Sequence, residues 1–295
     1  MKDACGVYGI YSFNGDQLAK LVYYGIFSLQ HRGQESAGIC TSDGKQFRRQ
    51  IGMGLVNQVF NEEKLTDLTG HIAIGHVRYS TTGSSVLINA QPFEVESKFG
   101  PIAVAHNGNL INTRELRAEL PDYKFKSTTD TEVIAAHIAS SPAADLEQAV
   151  VATLKKCHGA FSLVIMTLDK LMAIRDPYGI RPLAVGKTKD TYVVSSETCG
   201  LDVIGAEFLR EVGAGEMVVI DQRGLSSNTW ARADKAALCV FEYIYFARPD
   251  SLYEGRSFHD VRVHFGKCLA NEHPAEAEML IAVPDSGIPA AIGFA

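Results

Sequence analysis

The chain has 295 residues, long for one domain, so one large domain and part of a second are expected. Apolar residues make up 46% and charged residues 21%, as in ordinary globular proteins, and no apolar run nears the roughly 20 residues that span a bilayer. The net charge of −6, with no basic cluster larger than Arg48-Arg49, excludes the electrostatic footprint of a nucleic-acid binder. Residues 1–4 are too few for a signal peptide, and six cysteines scattered without a C-x-x-C pair predict reduced thiols in a cytoplasm.

Residues 5–13 read as a strand closed by the Asn14-Gly15 turn. Asp16 is a good N-cap for a helix whose apolar positions, among them Leu18, Leu21, Val22, Ile26 and Leu29, keep the helical period up to an end at Gly33. Short strands are expected around 46–51 and an Asn61-capped helical turn over 62–68. A buried strand over 72–80 then runs into a Gly/Ser/Thr loop suited to a mobile lid. Residues 102–105 form another buried strand, and Asn107-Gly108 behind it carries a tight-turn signal. Thr113 caps a helix to residue 120, and a second helix reaches residue 140, with Asp130 as its N-cap or first-turn acid.

A further helix is predicted over 145–156, a hairpin over 161–175, and short strands at 183–186, 192–195 and 216–220. Ser226-Ser227-Asn228 reads as a loop, 239–247 as a dense aromatic segment, and 258–272 as a helix. Residues 280–287 read as a strand running into a loop, with a helix from Pro289, so that a βα pattern begins to repeat as a second domain opens. Before residue 226 the strands are many and the helices come in pairs between strand groups. That alternation predicts an α+β fold of two packed sheets with helices outside, a four-layer αββα sandwich.

Cys5 is followed by glycine and stands almost at the start of the chain. If residues 1–4 are removed as a propeptide, Cys5 carries a thiol and a free α-amine, with pKa values of roughly 8.5 and 8, so one residue supplies nucleophile and general base. Taken alone, Cys5 is as readily a small strand residue with no chemistry.

Seven stretches change that balance: Cys5-Gly6-Val7, His31-Arg32-Gly33-Gln34-Glu35-Ser36-Ala37-Gly38, Gly75-His76-Val77-Arg78-Tyr79-Ser80-Thr81, Ala105-His106-Asn107-Gly108-Asn109-Leu110, Thr129-Asp130-Thr131-Glu132, Arg175-Asp176-Pro177-Tyr178-Gly179-Ile180-Arg181-Pro182-Leu183, and the run from Phe241 to Ser251. In this order they resemble the class II, N-terminal-nucleophile glutamine amidotransferases, and within them the amidophosphoribosyltransferases of purine synthesis. Glucosamine-6-phosphate synthases typically carry Tyr-Arg-Gly-Tyr-Asp-Ser in place of His31 to Ser36. Asparagine synthetases differ at the same turn and carry an ATP domain.

The resemblance implies roles for individual residues. Cys5 would attack the glutamine carboxamide to give a glutamyl thioester and ammonia, with the Asn107 amide and the Gly108 N–H stabilising the oxyanion. Arg78 would bind the α-carboxylate of glutamine and Asp130 its α-ammonium group, while Arg32 and the loop with Tyr79 and Thr81 would line and close the pocket. It also implies a propeptide over 1–4, a glutaminase domain over 5–229, and over 230–295 a junction with the start of a truncated phosphoribosyltransferase domain. The complete parent would use Mg²⁺ to transfer ammonia to phosphoribosyl pyrophosphate, giving 5-phosphoribosylamine, as a homo-oligomer in the cytoplasm with no nucleic-acid or membrane partner.

Cys239 is either a buried thiol or, in the iron–sulfur type of parent, one ligand of a [4Fe–4S] cluster whose other ligands lie outside these residues; no cluster is expected in the chain itself. The paired-aspartate strand and phosphate loop of the phosphoribosyltransferase domain are absent, so the 295 residues are expected to hydrolyse glutamine at most. Two other readings stand beside this one. The first is an N-terminal-nucleophile amidase acting on another amide, which the Arg78/Asp130 pair argues against. The second is an inactive or regulatory remnant, which steady glutamate release would exclude.

Overall fold

The structure is a computed structural model that describes residues 5–15, 17–80 and 84–295. Asp16, Thr81 and residues 1–4 therefore lie outside the described residues. The strands are β1 (Gly6–Ser12), β2 (Ser36–Ser42), β3 (Phe47–Met53), β4 (Ile72–Arg78), β5 (Phe93–Ser97), β6 (Gly100–Leu110), β7 (Gly159–Met166), β8 (Leu171–Arg175), β9 (Ala184–Lys187), β10 (Thr191–Ser195), β11 (Glu207–Glu211), β12 (Glu216–Asp221) and β13 (Gly224–Thr229), with a two-residue pair β14 (Leu252–Tyr253) and β15 (Arg256–Ser257). The helices are α1 (Ala19–Ser28), α2 (Val56–Val59), α3 (Glu62–Asp67), α4 (Thr113–Ala118), α5 (Asp130–Ala139), α6 (Leu146–Leu154), α7 (Cys199–Asp202), α8 (Phe258–Glu272) and α9 (Gly287–Phe294).

Two antiparallel sheets carry the core. One has the order β11-β9-β10-β1-β4-β2-β3, the other β13-β12-β8-β7-β6-β5. Val7, Ile74, Ala105 and Val164 from both sheets meet in the layer between them. The outer face of the first sheet is covered by α1, α2, α3 and α7 through Val22, Ile26, Val56, Leu65 and Leu201. The outer face of the second is covered by α4, α5 and α6 through Leu116, Ile134, Ile138 and Val150. This is the four-layer αββα arrangement that the strand–helix alternation implies. β1 is the central strand of its sheet and β6 lies one strand in from the edge of the other, and Cys5 and Asn107 approach each other across the sandwich.

Several local expectations need correction. The first helix ends at Ser28, and Gln30–Arg32 form a separate 3-10 turn. Gly33 closes that 3-10 turn rather than α1: it is extended, its N–H donates to the Gln30 carbonyl, and a Cβ there would lie 2.6 Å from the Val77 backbone carbon. Asn107-Gly108 makes no turn, because β6 runs straight through it, pairing Asn107 with Ser162 and Gly108 with Phe161. Thr113 is the first residue of α4 rather than its cap, with Asn112 in the cap position. Of the two roles expected for Asp130, the first-turn acid is observed: it opens α5, and the Thr129 side chain is the cap, accepting the Glu132 N–H.

Ser226–Asn228 belong to the edge strand β13, whose polar sequence hides its pairing with β12. Residues 280–283 form no strand: Ile281 and Val283 are each 81% exposed, and no neighbouring strand among the described residues supplies hydrogen bonds. No described helix is long and apolar enough to cross a membrane.

After β13 the chain returns over the sandwich. Trp230 stacks on Phe161, and the N–H groups of Ala237 and Cys239 donate to the Tyr178 and Ile180 carbonyls. A π-helical turn over Glu242–Phe246 follows, held from α8 by Arg262, which donates to the Tyr243 and Ala247 carbonyls at 2.7 Å each.

Candidate active site

Cys5 stands at the mouth of β1, 5% exposed, with Val77 of β4 beside Gly6. Its N–H donates to Asn107 Oδ1 at 3.3 Å, and its thiol donates to the Tyr79 carbonyl at 3.4 Å. Burial pushes the thiol up to about 11; the Arg78 charge pulls it down and the Asp130 charge pushes it up. Both charges are therefore within electrostatic reach of the sulfur, one on either side of the balance. A thiol held so high is not ionised at neutral pH, so its attack needs a base already in place.

Asn107 is fully buried and uses only half of its amide. Oδ1 holds Cys5, while Nδ2 has no hydrogen-bond partner among the described residues. A buried donor without a partner is costly, on the order of 1–3 kcal/mol, and such groups are kept where a ligand completes them. Gly108 follows with φ +154°, and a Cβ there would lie 2.0 Å from the Ala160 carbonyl oxygen, so no side chain fits between β6 and β7 at this point.

Asp130 reaches back to the same strand. It accepts the Leu110 N–H at 3.0 Å, and its other oxygen lies 3.4 Å from His106 Nδ1. Burial opposes its charge, but His106 and the Leu110 N–H outweigh burial and hold its carboxyl below the ordinary value. It is an anion at neutral pH. His76, also buried, is pushed down to about 3 by desolvation despite its Nε2 contact with the His106 carbonyl, so it is neutral.

Arg78 ends β4 where Gly33 lets the preceding loop lie flat against it. Its guanidinium donates to the Ser84 carbonyl at 3.3 Å and lies 3.4 Å from Glu35 Oε2. Tyr79 contributes its carbonyl to Cys5 while its side chain is 36% exposed. Asn107, Arg78, Tyr79 and Asp130 thus gather around Cys5, with Gly108 next to Asn107 on β6.

Arg32 is the exception among the sequence-predicted residues, because its guanidinium does not face the pocket. It is fully buried behind Cys5, where Nε donates to the Cys5 carbonyl at 2.9 Å and the other nitrogens donate to Glu197 at 2.5 Å and to Glu242 at 2.7 and 2.8 Å. Sequence reasoning missed both carboxylates. Their signal was available: Glu242 is an acid inside an aromatic run, and a carboxylate in apolar surroundings is rarely buried unless it is paired.

Cys239 is half-buried, and the described residues hold no group of three or more His, Cys, Asp or Glu side chains that could bind a metal. A single cysteine cannot supply the four thiolates of a [4Fe–4S] cluster.

Residues 76–202 match the family described as a glutamine amidotransferase domain. The amidophosphoribosyltransferase of Synechococcus elongatus is 50% identical over 99% of the chain, and that of Methanocaldococcus jannaschii 47% identical over 98%. Over nearly all of its length the chain is similar to the amidophosphoribosyltransferases. It spans 61% and 66% of the length of those two relatives. The solved glutamine phosphoribosylpyrophosphate amidotransferase from B. subtilis, in complex with ADP and GMP, superposes with a TM-score of 0.93 at 42% identity. That match covers 98% of this chain and 63% of the other.

Proposed function

We propose that the chain carries the glutamine-hydrolysing half of an amidophosphoribosyltransferase. The observation that carries this reading is Asn107, whose Oδ1 fixes the Cys5 nitrogen while its Nδ2 lies buried beside the nucleophile without a partner among the described residues. In the reaction, removal of residues 1–4 frees the Cys5 α-amine, which takes the thiol proton. The thiolate adds to the glutamine carboxamide carbon, and the oxyanion is met by Asn107 Nδ2 and the Gly108 N–H. The proton passes from the amine to the leaving nitrogen, ammonia departs, and water hydrolyses the glutamyl thioester to glutamate. Arg78 pairs with the substrate carboxylate and Asp130 with its ammonium, so the two charges flanking Cys5 recognise an α-amino acid head group. Tyr79, whose carbonyl meets the Cys5 thiol, borders the same pocket.

On this reading residues 5–229 are the glutaminase domain and 230–295 the junction with the first part of a phosphoribosyltransferase domain. The complete protein is proposed to act in the cytoplasm as a homo-oligomer and to transfer the ammonia to phosphoribosyl pyrophosphate with Mg²⁺, giving 5-phosphoribosylamine. A [4Fe–4S] cluster would require three thiolates beyond Cys239, which the described residues do not gather. The test is glutamate release from glutamine, compared with an analogue lacking the α-ammonium group. The expected result is steady release from glutamine and at least about 100-fold lower kcat/KM for the analogue, since it leaves Asp130 unpaired. No release, or equal turnover of both, would overturn the reading.

A further inference from the structure

We propose that Glu242 is a positioning residue for Cys5, acting through Arg32. The inference rests on Cys5 being the nucleophile. The Cys5 carbonyl shares a Cα with the thiol and with the nitrogen that Asn107 holds, so fixing the carbonyl fixes the direction of both reacting groups. Arg32 Nε makes that contact at 2.9 Å. A fully buried guanidinium keeps a defined plane only if its remaining donors are engaged, and Glu242 engages two nitrogens, at 2.7 and 2.8 Å, in the planar two-point manner that arginine favours.

Burial works against the Arg32 charge, and Glu242 and Glu197 more than offset it. Glu197 is shared more widely: it also takes His31 at 2.7 Å, the Arg248 N–H at 2.9 Å and the Ser251 hydroxyl at 2.8 Å. Glu242 is committed to arginines, Arg32 and, at 3.2 Å, Arg181. Its backbone is fixed in turn, because its N–H donates to the Cys239 carbonyl at 3.0 Å and Arg262 of α8 secures the turn it opens. A residue beyond the sandwich thereby sets the orientation of one at its first strand.

Arg32→Met and Glu242→Met, singly and together in the full chain, test the assignment. Three readouts are followed: iodoacetamide alkylation of the Cys5 peptide at pH 8, kcat and KM for glutamine, and the melting temperature. Each single change is expected to slow alkylation and kcat by about 10- to 100-fold, with KM held within about twofold. The double variant should be no slower than the slower single, because both act through one contact. It should also melt above either single, since no buried charge is left alone, so it can be assayed even where a single variant folds poorly.

The proposal is overturned if the double variant regains alkylation rate and kcat together with its melting temperature, if the single effects multiply, or if Glu242→Met alkylates like the wild type. Failure of the unmodified chain to hydrolyse glutamine would sink the functional reading alone, and the alkylation rates would still decide the role of Glu242.

Discussion

The two sides of Cys5 are built in opposite ways. Behind it, charges are matched: Arg32 meets Glu197 and Glu242, and Glu197 meets His31, the Arg248 N–H and Ser251 as well. In front of it, Asn107 Nδ2 and the neighbouring His106 Nε2 are buried without partners among the described residues, and Arg78 and Asp130 bring opposite charges near the sulfur. Desolvating a polar group without a partner costs stability, so a fold retains such groups where something else completes them. The matched side is scaffold, and the incomplete side is the one proposed to receive a zwitterionic amide.

Substitutions sharpen or break this contrast. The largest effect belongs to Cys5→Ser, which keeps the shape but removes the thiol; glutamate release should disappear, and residual turnover at the wild-type rate would mean that another nucleophile acts. Next comes Asn107→Ala, expected to lower kcat by about 10²–10³, the usual cost of one oxyanion donor. KM should change little, which steady-state kinetics would check.

Asp130→Asn removes the anion proposed for the ammonium group. A rise in KM of about 10- to 100-fold, with kcat less affected, is the pattern of lost substrate binding, and an unchanged KM would assign Asp130 to structure alone.

The smallest effect lies outside both sides of Cys5. Glu211 is half-buried, with one buried carboxylate oxygen unpartnered among the described residues, and desolvation pushes it up to about 7 against the pull of Arg175. The sign follows from proton binding. Between the ordinary carboxylate range and pH 7 the folded state holds the extra proton, so stability falls as pH rises through that window. Glu211→Gln should flatten the fall and raise stability above pH 7 by about 1–2 kcal/mol, read from denaturant melts at pH 5 and pH 8. A wild-type protein equally stable at both values would contradict this account of Glu211.

Much of this was legible from residue order, for identifiable reasons. The helices over 62–67, 146–154 and 258–272 announce themselves through Asn61, Asp145 and Ser257, whose side chains accept N–H groups three residues on. Local chemistry of that kind is written within a single turn. β13 was hidden because an edge strand needs no apolar face, and Asn107-Gly108 read as a turn because its extended path is set by β7, some fifty residues later in the chain.

The pocket residues were recoverable as motifs, since their chemistry demands fixed residue types. The orientation of Arg32 was not. Whether an arginine faces a pocket or a pair of carboxylates depends on Glu197 and Glu242, 165 and 210 residues away. Residues 280–283 show the converse error, where apolar β-branched residues look like a strand yet find no partner among the described residues.

The most direct test of the central claim is the intact mass of the purified chain before and after exposure to 6-diazo-5-oxo-norleucine, a reactive glutamine analogue. The account predicts a chain that begins at Cys5 and gains a single adduct on that residue. A chain that keeps residues 1–4 and stays unmodified would contradict it.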